Sequence, residues 1–506
     1  MKKGIWSLLF FFLSGFFSFN AQAVSFVGLI GADYQPNHYD SGVTFNSHDV
    51  FYAGGGTSPI TNIYSELSQL KAAGVTTVRS YQTTEYSWDG IIEAANALSM
   101  SVIFEAPIPQ TDSTCTPTNN YSTCQAIINA NSLIKNVISD VGVSVFNNTV
   151  ILVLAGHENF DNPDQFDNPS NASYLNAAIS NLQKDTSRPV GGAFVAGNLV
   201  TPPSLASGYS IADVINRYSA AAPEAFDPYP FQWGLASGNT ADQEVTDGSI
   251  ANSIQYDYNT INSNISAGTI PGGRAIFMAE SGWATAGTNP NAVPCGGTGQ
   301  PACTYACSTG SYPACAPSVA NAALYLQALY TFVRTTSNNA GVLAFEAYDE
   351  PTKTPVGSME DYYGVFDKNC NLKDNNTSLL PDTSYVPGSN YGCQGYVNGA
   401  LMIVTAQFLT PSTSLFTVTI SNNTNPTTSQ SANMTVKNLQ GVTYPYDNGS
   451  TLQWPYFLVF PNATFSITSS GQTCTGTVAS IDGSQNITFS GLSGCSCSSN
   501  TCYLSA

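Results

Sequence analysis

Charge is scarce in this chain. Asp, Glu, Lys and Arg together make up 9% of it, against about 25% in an ordinary soluble protein. Positive charge is scarcer still: 14 Lys and Arg stand against 33 Asp and Glu, a formal charge of −19. Such a chain repels phosphate backbones and anionic lipid, which excludes nucleic acid as a partner. A neutral, hydroxyl-rich polymer meets no such repulsion. Histidine is nearly absent, with His38, His48 and His157 alone, and no Cys-x-x-Cys pair occurs. A structural zinc site therefore lacks its usual ligands, and neither a metal nor a cofactor is expected. Beyond the N-terminus no apolar run is long enough to span a bilayer. What is abundant is core-forming material: 42% hydrophobic and 11% aromatic residues, which excludes a disordered chain.

The N-terminus carries Lys2 and Lys3, an apolar run from Ile5 to Phe19, and Ala21-Gln22-Ala23. That order reads as a cleaved secretory signal over residues 1–23. The run is short of the ~20 residues of a membrane span, and Ser7, Ser14 and Ser18 interrupt it. The mature protein is expected to be a monomer, either secreted or held at the cell surface or in a periplasm. Its 12 cysteines then read as disulfides. They fall in local groups: Cys115 with Cys124; Cys295, Cys303, Cys307 and Cys315; Cys370 with Cys393; and Cys474, Cys495, Cys497 and Cys502. Short loops close at least entropic cost, so pairing within groups is expected. Each group of four leaves three connectivities open.

From Ser25 to about Lys373, short apolar runs alternate with helix-period segments. The runs are Phe26–Ile30, Val75–Tyr81, Ser101–Ala106, Val150–Ala155, Val190–Val195, Ala225–Tyr229, Ala275–Glu280 and Val342–Ala347. They lack clean alternation, as do parallel strands buried on both faces. Between them, Ile60, Ile63, Leu67 and Leu70 mark one helical stripe ended by Gly74. Trp88, Ile91, Ala95 and Leu98 mark another. Val319, Ala323, Leu326, Leu329 and Val333 mark a third, entered at Ser318. Eight strands alternating with helices predict an α/β fold, a (β/α)8 TIM barrel over residues 24–375. An open doubly wound sheet is the competing architecture, but Gly54-Gly55-Gly56 lacks the spacing of a phosphate-binding turn. Residues 376–395 read as a linker or surface wrap. Residues 396–506 hold short strands punctuated by Ser, Thr and Asn, which predicts a small all-β, sandwich-like C-terminal domain.

In a barrel of this kind, chemistry sits at the C-terminal ends of the strands. The fourth run ends in Gly156-His157-Glu158, and the seventh in Glu280-Ser281-Gly282-Trp283. Those ends face one another across the barrel mouth, so two carboxylates are expected over one cleft. Glycoside cleavage needs such a pair: one carboxyl protonates the departing oxygen, and the other attacks or activates water. Glu280, at a strand end, suits a fixed nucleophile. Glu158, at a loop start, suits the general acid/base.

These segments resemble glycoside hydrolase family 17, the β-1,3-glucanases and glucanosyltransferases of the retaining (β/α)8 clan. Ala279-Glu280-Ser281-Gly282-Trp283 resembles the family's nucleophile motif, and Leu154-Ala155-Gly156-His157-Glu158 its acid/base motif. Asp227-Pro228-Tyr229-Pro230-Phe231 resembles its strand-six element. Phe345-Glu346-Ala347-Tyr348-Asp349-Glu350-Pro351-Thr352-Lys353 resembles the strand-eight motif, whose acid and lysine fall on Glu350 and Lys353. Glu360 is similar to a further acid of that segment. Thr77-Val78-Arg79-Ser80-Tyr81 and Gly31-Ala32-Asp33-Tyr34-Gln35-Pro36 resemble strands two and one.

The resemblance implies a retaining glycosidase acting on β-glucan polysaccharide or oligosaccharide through a glycosyl-enzyme. Catalytic Glu158 and Glu280 and substrate-binding Tyr34, Tyr81, His157, Tyr229, Trp283, Glu350 and Lys353 follow from it. One residue departs from the pattern: the family usually has Asn where His157 stands, which leaves open sugar contact with altered geometry, redirected activity, or a packed ring. Phe231 and Trp233 are further aromatics near strand ends, with flat faces suited to pyranose rings. Arg79 reads as a buried ion-pair residue. A glucanosyltransferase differs from a hydrolase only in the acceptor, and a non-catalytic carbohydrate-binding protein on the same barrel is the alternative of another class. Tyr444, Tyr446, Trp454 and Tyr456 read equally as a sugar-binding face or as core.

Overall fold

The computed structural model describes residues 25–36, 63–109, 124–158, 169–202, 210–229, 253–287, 317–336, 340–351, 353, 357–387, 400–407, 412–422, 428–439, 442–445, 456–459, 462–469, 472–481, 487–498 and 501–505. The signal segment, His38, His48, Cys115, Phe231, Trp233, Cys393, Tyr446, Trp454 and the Cys295–Cys315 insertion lie outside the described residues.

The first nine strands are β1 (Ile30–Asp33), β2 (Thr77–Ser80), β3 (Ser101–Ala106), β4 (Val150–Ala155), β5 (Val190–Gly191), β6 (Ala193–Val195), β7 (Glu224–Asp227), β8 (Ile276–Ser281) and β9 (Ala340–Ala344). They form one sheet in the order β5-β4-β3-β2-β1-β9-β8-β7-β6, with every pairing parallel. β5 and β6 are two halves of one stave, broken at Gly192. β5 pairs with β4 and β6 with β7, so the sheet closes on itself as a barrel of eight staves. A Cβ at Gly192 would lie 2.9 Å from the Tyr218 hydroxyl, so the break leaves room for that side chain.

The strand sequences explain the closure. All six residues of β4, Val-Ile-Leu-Val-Leu-Ala, are buried, as expected where side chains alternately fill the barrel and meet the surrounding helices. The helix Glu85–Ala97 buries Trp88, Ile91, Ile92 and Ala95 completely, and Trp88 stacks on Phe104 of β3 with ring centroids 4.1 Å apart. Val319–Thr331 is capped by Ser318, whose Oγ accepts from the Asn321 amide at 3.1 Å. Helices Gln125–Val141, Val143–Thr149, Pro169–Asp185 and Ser253–Ser266 add to the outer layer.

Among the boundaries that differ from the sequence expectation, two have a clear packing reason. The first strand is Ile30–Asp33 rather than Phe26–Ile30. Gly28, at φ +76°, turns the chain, and Phe26 packs edge-on against Phe277 (centroids 5.5 Å). An apolar run that packs beneath a barrel looks like a strand in sequence. The stretch read as a linker or surface wrap is a wrap as far as residue 387. Leu379 and Leu380 are fully buried, Gln327 donates to the Ser378 and Leu380 carbonyls, and the Asp382 amide donates to Ala73 O at 3.0 Å.

The C-terminal strands are β10 (Ala400–Gln407), β11 (Ser412–Asn422), β12 (Thr428–Leu439), β13 (Val442–Pro445), β14 (Tyr456–Val459), β15 (Thr464–Ser469), β16 (Gln472–Ile481), β17 (Ile487–Ser493), β18 (Cys495–Ser498) and β19 (Thr501–Ser505). They make a four-stranded sheet, β14-β10-β19-β18, and a six-stranded sheet, β13-β12-β11-β15-β16-β17. Only the β10–β19 pair is parallel. Cys474 of β16 is bonded to Cys495 of β18, which joins the two sheets, and Cys497–Cys502 closes the β18–β19 hairpin. Cys124 and Cys370 each take part in a separate disulfide. Among the described residues no helix is long and apolar enough to cross a membrane.

Candidate active site

Glu280 occupies the C-terminal end of β8 and is 3% exposed. A carboxylate in such a place needs partners, because burial alone would drive it to take up a proton. The barrel supplies four. Tyr229, just beyond β7, donates its hydroxyl to Oε2 at 2.6 Å, and Tyr81, just beyond β2, donates to Oε1. Arg79 Nη1 lies 3.3 Å from Oε1 and His157 Nδ1 3.2 Å from it. Burial pushes the Glu280 carboxyl up, but the charges of His157 and Arg79 and the two tyrosine hydroxyls outweigh it. The group is held below the usual carboxylate range, so it favours the anion.

Arg79 is the hub of this arrangement. It is fully buried, like the ion-pair residue expected from sequence. Its Nη2 and Nε donate to Glu105 Oε2 at 2.6 and 3.0 Å, and Nη1 donates to Ala279 O at 2.9 Å. Asp227 Oδ1 stands 3.7 Å from Nη1. Asp33 Oδ1 at the end of β1 lies 2.9 Å from the same Tyr81 hydroxyl, whose one proton is shared between Asp33 and Glu280. Burial, followed by repulsion from Glu280, raises the carboxyls of both Asp33 and Asp227 well above their ordinary value. The balance among the three acids therefore favours the anion on Glu280. One guanidinium thus sits among several acids, and the anionic charge concentrates on the carboxylate best provided with donors.

Glu158 follows β4. Gly156 and Glu158 both have positive φ, +80° and +42°, and this tight turn directs His157 inward and Glu158 over the cleft. His157 Nε2 lies 3.8 Å from Glu158 Oε2, while Nδ1 of the same ring faces Glu280. One imidazole therefore spans the two carboxylates. These two contacts keep their nearest oxygens less than about 9.5 Å apart, a bound that admits both the ~5–5.5 Å spacing of retaining pairs and the wider spacing of inverting ones.

Both glutamates line a cleft of about 500 Å³ together with Tyr81, His157, Tyr229, Glu105, Phe345, Glu350, Lys353 and Glu360. Lys353 Nζ donates to Glu346 at 2.8 Å, lies 3.6 Å from Glu350, and sits 4.3 Å above the Phe345 ring. Burial, then repulsion from Glu350, raises the Glu346 carboxyl. This wall presents polar groups above aromatic ones, the composition of a site for a hydroxylated ligand.

Seven of the nine residues expected from sequence meet at this cleft: Glu158, Glu280, Tyr81, His157, Tyr229, Glu350 and Lys353. Two do not. Tyr34 is fully buried, donating to Glu66 Oε2 at 2.5 Å and packing on Tyr348. Trp283 is 1% exposed and tilts against Tyr325. Both rings belong to the wall behind the cleft, because residues just past a strand end can turn toward the helices as readily as toward the mouth. Asp33, Glu105, Asp227 and Glu346 were not singled out as site residues. Their signal was an acid embedded in an apolar run, as in Val102-Ile103-Phe104-Glu105.

His157, Asp227 and Glu280 offer ligand atoms within 4.8 Å of one another. Arg79 already supplies a fixed cation to this group, 3.3 Å from Glu280, 3.7 Å from Asp227 and 3.0 Å from His157. A metal ion would have to overcome its repulsion, and we assign none here.

No family model and no curated protein matches this chain. Solved structures similar to it include an endo-laminarinase from Formosa Hel1_33_131, at 16% identity over 68% of this chain and 86% of that one, with a TM-score of 0.47. A glycoside hydrolase family 17 β-1,3-glucanosyltransferase from Rhizomucor miehei is 18% identical over 67% and 94%, with a TM-score of 0.42. CJP38, a β-1,3-glucanase and allergen of Cryptomeria japonica pollen, is 14% identical over 67% and 96%, with a TM-score of 0.43. At identities and TM-scores this low, the chemistry has to be read from this chain's own residues.

Proposed function

We propose that the protein is a retaining glycoside hydrolase acting on β-glucan, with 1,3-linkages as the preferred bonds. The single observation that carries the reading is the placement of Glu158 and Glu280 on one cleft, with a shared histidine between them and a buried, donor-rich setting for Glu280. The preference for 1,3-linked glucan rests on the motif order in the sequence.

In the first step Glu280 attacks the anomeric carbon. The glycosidic C–O bond breaks, and the departing oxygen takes the Glu158 proton. In the second step Glu158, now a carboxylate, takes a proton from water, whose oxygen displaces Glu280 and restores the starting configuration. Tyr229 and Tyr81 hold the nucleophile's oxygens, and Arg79 keeps it ionised. Glu350 and Lys353, which line the same cleft, are proposed to bind sugar hydroxyls, with the ring of Tyr229 against a pyranose. Transfer to a sugar hydroxyl would use the same intermediate with another acceptor.

A panel of β-1,3-, β-1,4- and mixed-linkage glucans tests this. Wild type is expected to cleave the 1,3-linked members. Glu280→Gln should fall to background and Glu158→Gln by roughly 10²–10⁴-fold. Undiminished cleavage by either variant removes its assigned role. Products longer than the input oligomer would identify the transferase.

A further inference from the structure

Glu346 lies two residues beyond β9, is 2% exposed, and is not among the residues that line the cleft. Its stretch of backbone is fixed. The Phe345 amide donates to the carbonyl of Ser281, the residue after Glu280, at 2.9 Å, and the Val365 amide donates to Glu346 O at 3.0 Å. From this anchored backbone the Glu346 carboxyl reaches Lys353, whose Nζ donates to Oε2 at 2.8 Å. Lys353 closes a turn, its amide donating to Glu350 O at 3.1 Å, and its ammonium sits 4.3 Å above the Phe345 ring. The lysine side chain is 25% exposed and lines the cleft beside Phe345 and Glu350.

The distances assign the bonds. Nζ lies 2.8 Å from Glu346 but 3.6 Å from Glu350, so the hydrogen bond goes to the buried acid, and the acid in the cleft is a charged neighbour. A Glu346 oxygen accepts an ammonium N–H whether or not its carboxyl is ionised, so this grip does not depend on the Glu346 proton. An ammonium has three N–H groups, and the bond to Glu346 does not exhaust it. The cleft therefore presents a donor, Lys353, and an acceptor, Glu350, 3.6 Å apart. A hydroxyl both donates and accepts, so one free hydroxyl satisfies both groups. An ether oxygen satisfies the donor alone.

We propose that Glu346 is a positioning residue that holds the Lys353 ammonium beside Glu350, so that the two together read one free sugar hydroxyl. This rests on the glycosidase reading above and names the substrate class at this part of the cleft, a neutral glucan without substituents on its hydroxyls. Lys353 carries a long side chain whose placement costs rotamer entropy. Glu346 supplies the hydrogen bond that offsets this cost before substrate arrives. Without it the ammonium loses its fixed place and can leave Glu350 for solvent, and the donor–acceptor pair that a hydroxyl needs is no longer built.

Competitive acetylation with acetic anhydride, read by peptide mass spectrometry, tests the grip without turnover. Lys135, whose side chain is 60% exposed, is the accessible standard, and Lys373, at 9%, reports an intact fold. Glu346→Leu removes the acceptor, and Lys353 is expected to react roughly tenfold faster relative to Lys135, as one charge-assisted hydrogen bond is lost. Glu346→Gln keeps an oxygen in place and should hold Lys353 close to the wild-type rate. If Lys373 accelerates as well, the fold has opened, and Glu346→Ser, too short to reach Nζ, replaces Glu346→Leu. An unchanged Lys353 rate in the folded variant overturns the proposal, whether or not the protein cleaves glucan.

The hydroxyl reading has its own arm. In Glu280→Gln a laminarin-type oligomer should shield Lys353 from acetylation, and its O-methylated counterpart should not. Equal shielding by the two, or by neither, overturns the proposal. In the active enzyme Glu346→Leu should raise KM for the oligomer roughly tenfold with a smaller change in kcat, and Glu346→Gln should restore most of the loss. A fall in kcat at unchanged KM overturns the positioning role. Absence of any cleavage by wild type would defeat the glycosidase reading instead, and leave the acetylation rates to decide what Glu346 does.

Discussion

Arg79 shows how one residue governs the site. It is fully buried against Glu105, Asp227 and Glu280, so its charge is what permits a carboxylate at the bottom of the cleft. Replacing it by Leu strands the acids of a buried network, at a cost of about 3–5 kcal/mol. Urea denaturation of Arg79→Leu is expected to show that loss near neutral pH. The loss should shrink toward pH 4, where the carboxylates can take up protons. A variant as stable as wild type at both values would contradict the role given to Arg79. The sequence showed the arginine within an apolar strand but not its partners, because those come from β3, β7 and β8, between 26 and 201 residues away. Tyr34 and Trp283 show the same limit from the other side. Their position after a strand was legible, but which way each ring turned was decided by packing against Tyr348 and Tyr325.

At the scale of elements, periodicity identified the strands and helices that hold the site, while their ends depended on contacts that periodicity does not encode. The Trp88, Ile91, Ala95 and Leu98 stripe became a buried helix face as expected. One buried acid within that helix carries a separate consequence. Asp89 is 1% exposed, and burial, with repulsion from Asp140, Glu93 and Glu85, pushes its carboxyl up to about 9. An unfolded Asp releases its proton near pH 3.9. Between that value and about 9 the folded state holds the extra proton, so stability falls as pH rises, by up to about 1.4 kcal/mol per pH unit. Asp89→Asn removes this term. Its unfolding free energy between pH 6 and pH 8 is expected to decline less steeply than that of wild type, and parallel slopes would contradict the assignment.

Over the whole molecule, the division into a barrel and an all-β C-terminal part was visible in composition, because helical periodicity stops where Ser, Thr and Asn begin to punctuate short strands. The cysteine groups were visible too, but the choice among three connectivities needed the sheets. Only when β16 and β18 fall in different sheets does Cys474–Cys495 become a tie between them. Opening it with Cys474→Ala and Cys495→Ala should cost the C-terminal sheets about 3 kcal/mol and leave the proposed glucan cleavage intact, since every cleft residue belongs to the barrel. Differential scanning calorimetry alongside an activity assay reads both outcomes, and loss of cleavage by a variant whose barrel transition is unchanged would contradict the separation. The central claim is that Glu280 forms a covalent bond to sugar. Incubating the protein with a slow-turnover, activated fluoroglucoside or fluorolaminaribioside and mapping the adduct by peptide mass spectrometry tests it most directly. The account predicts one sugar on the peptide containing Glu280 and none in Glu280→Gln. Continued hydrolysis of laminarin-type oligomers with inversion of configuration and no adduct, or an adduct on another carboxylate, would contradict it.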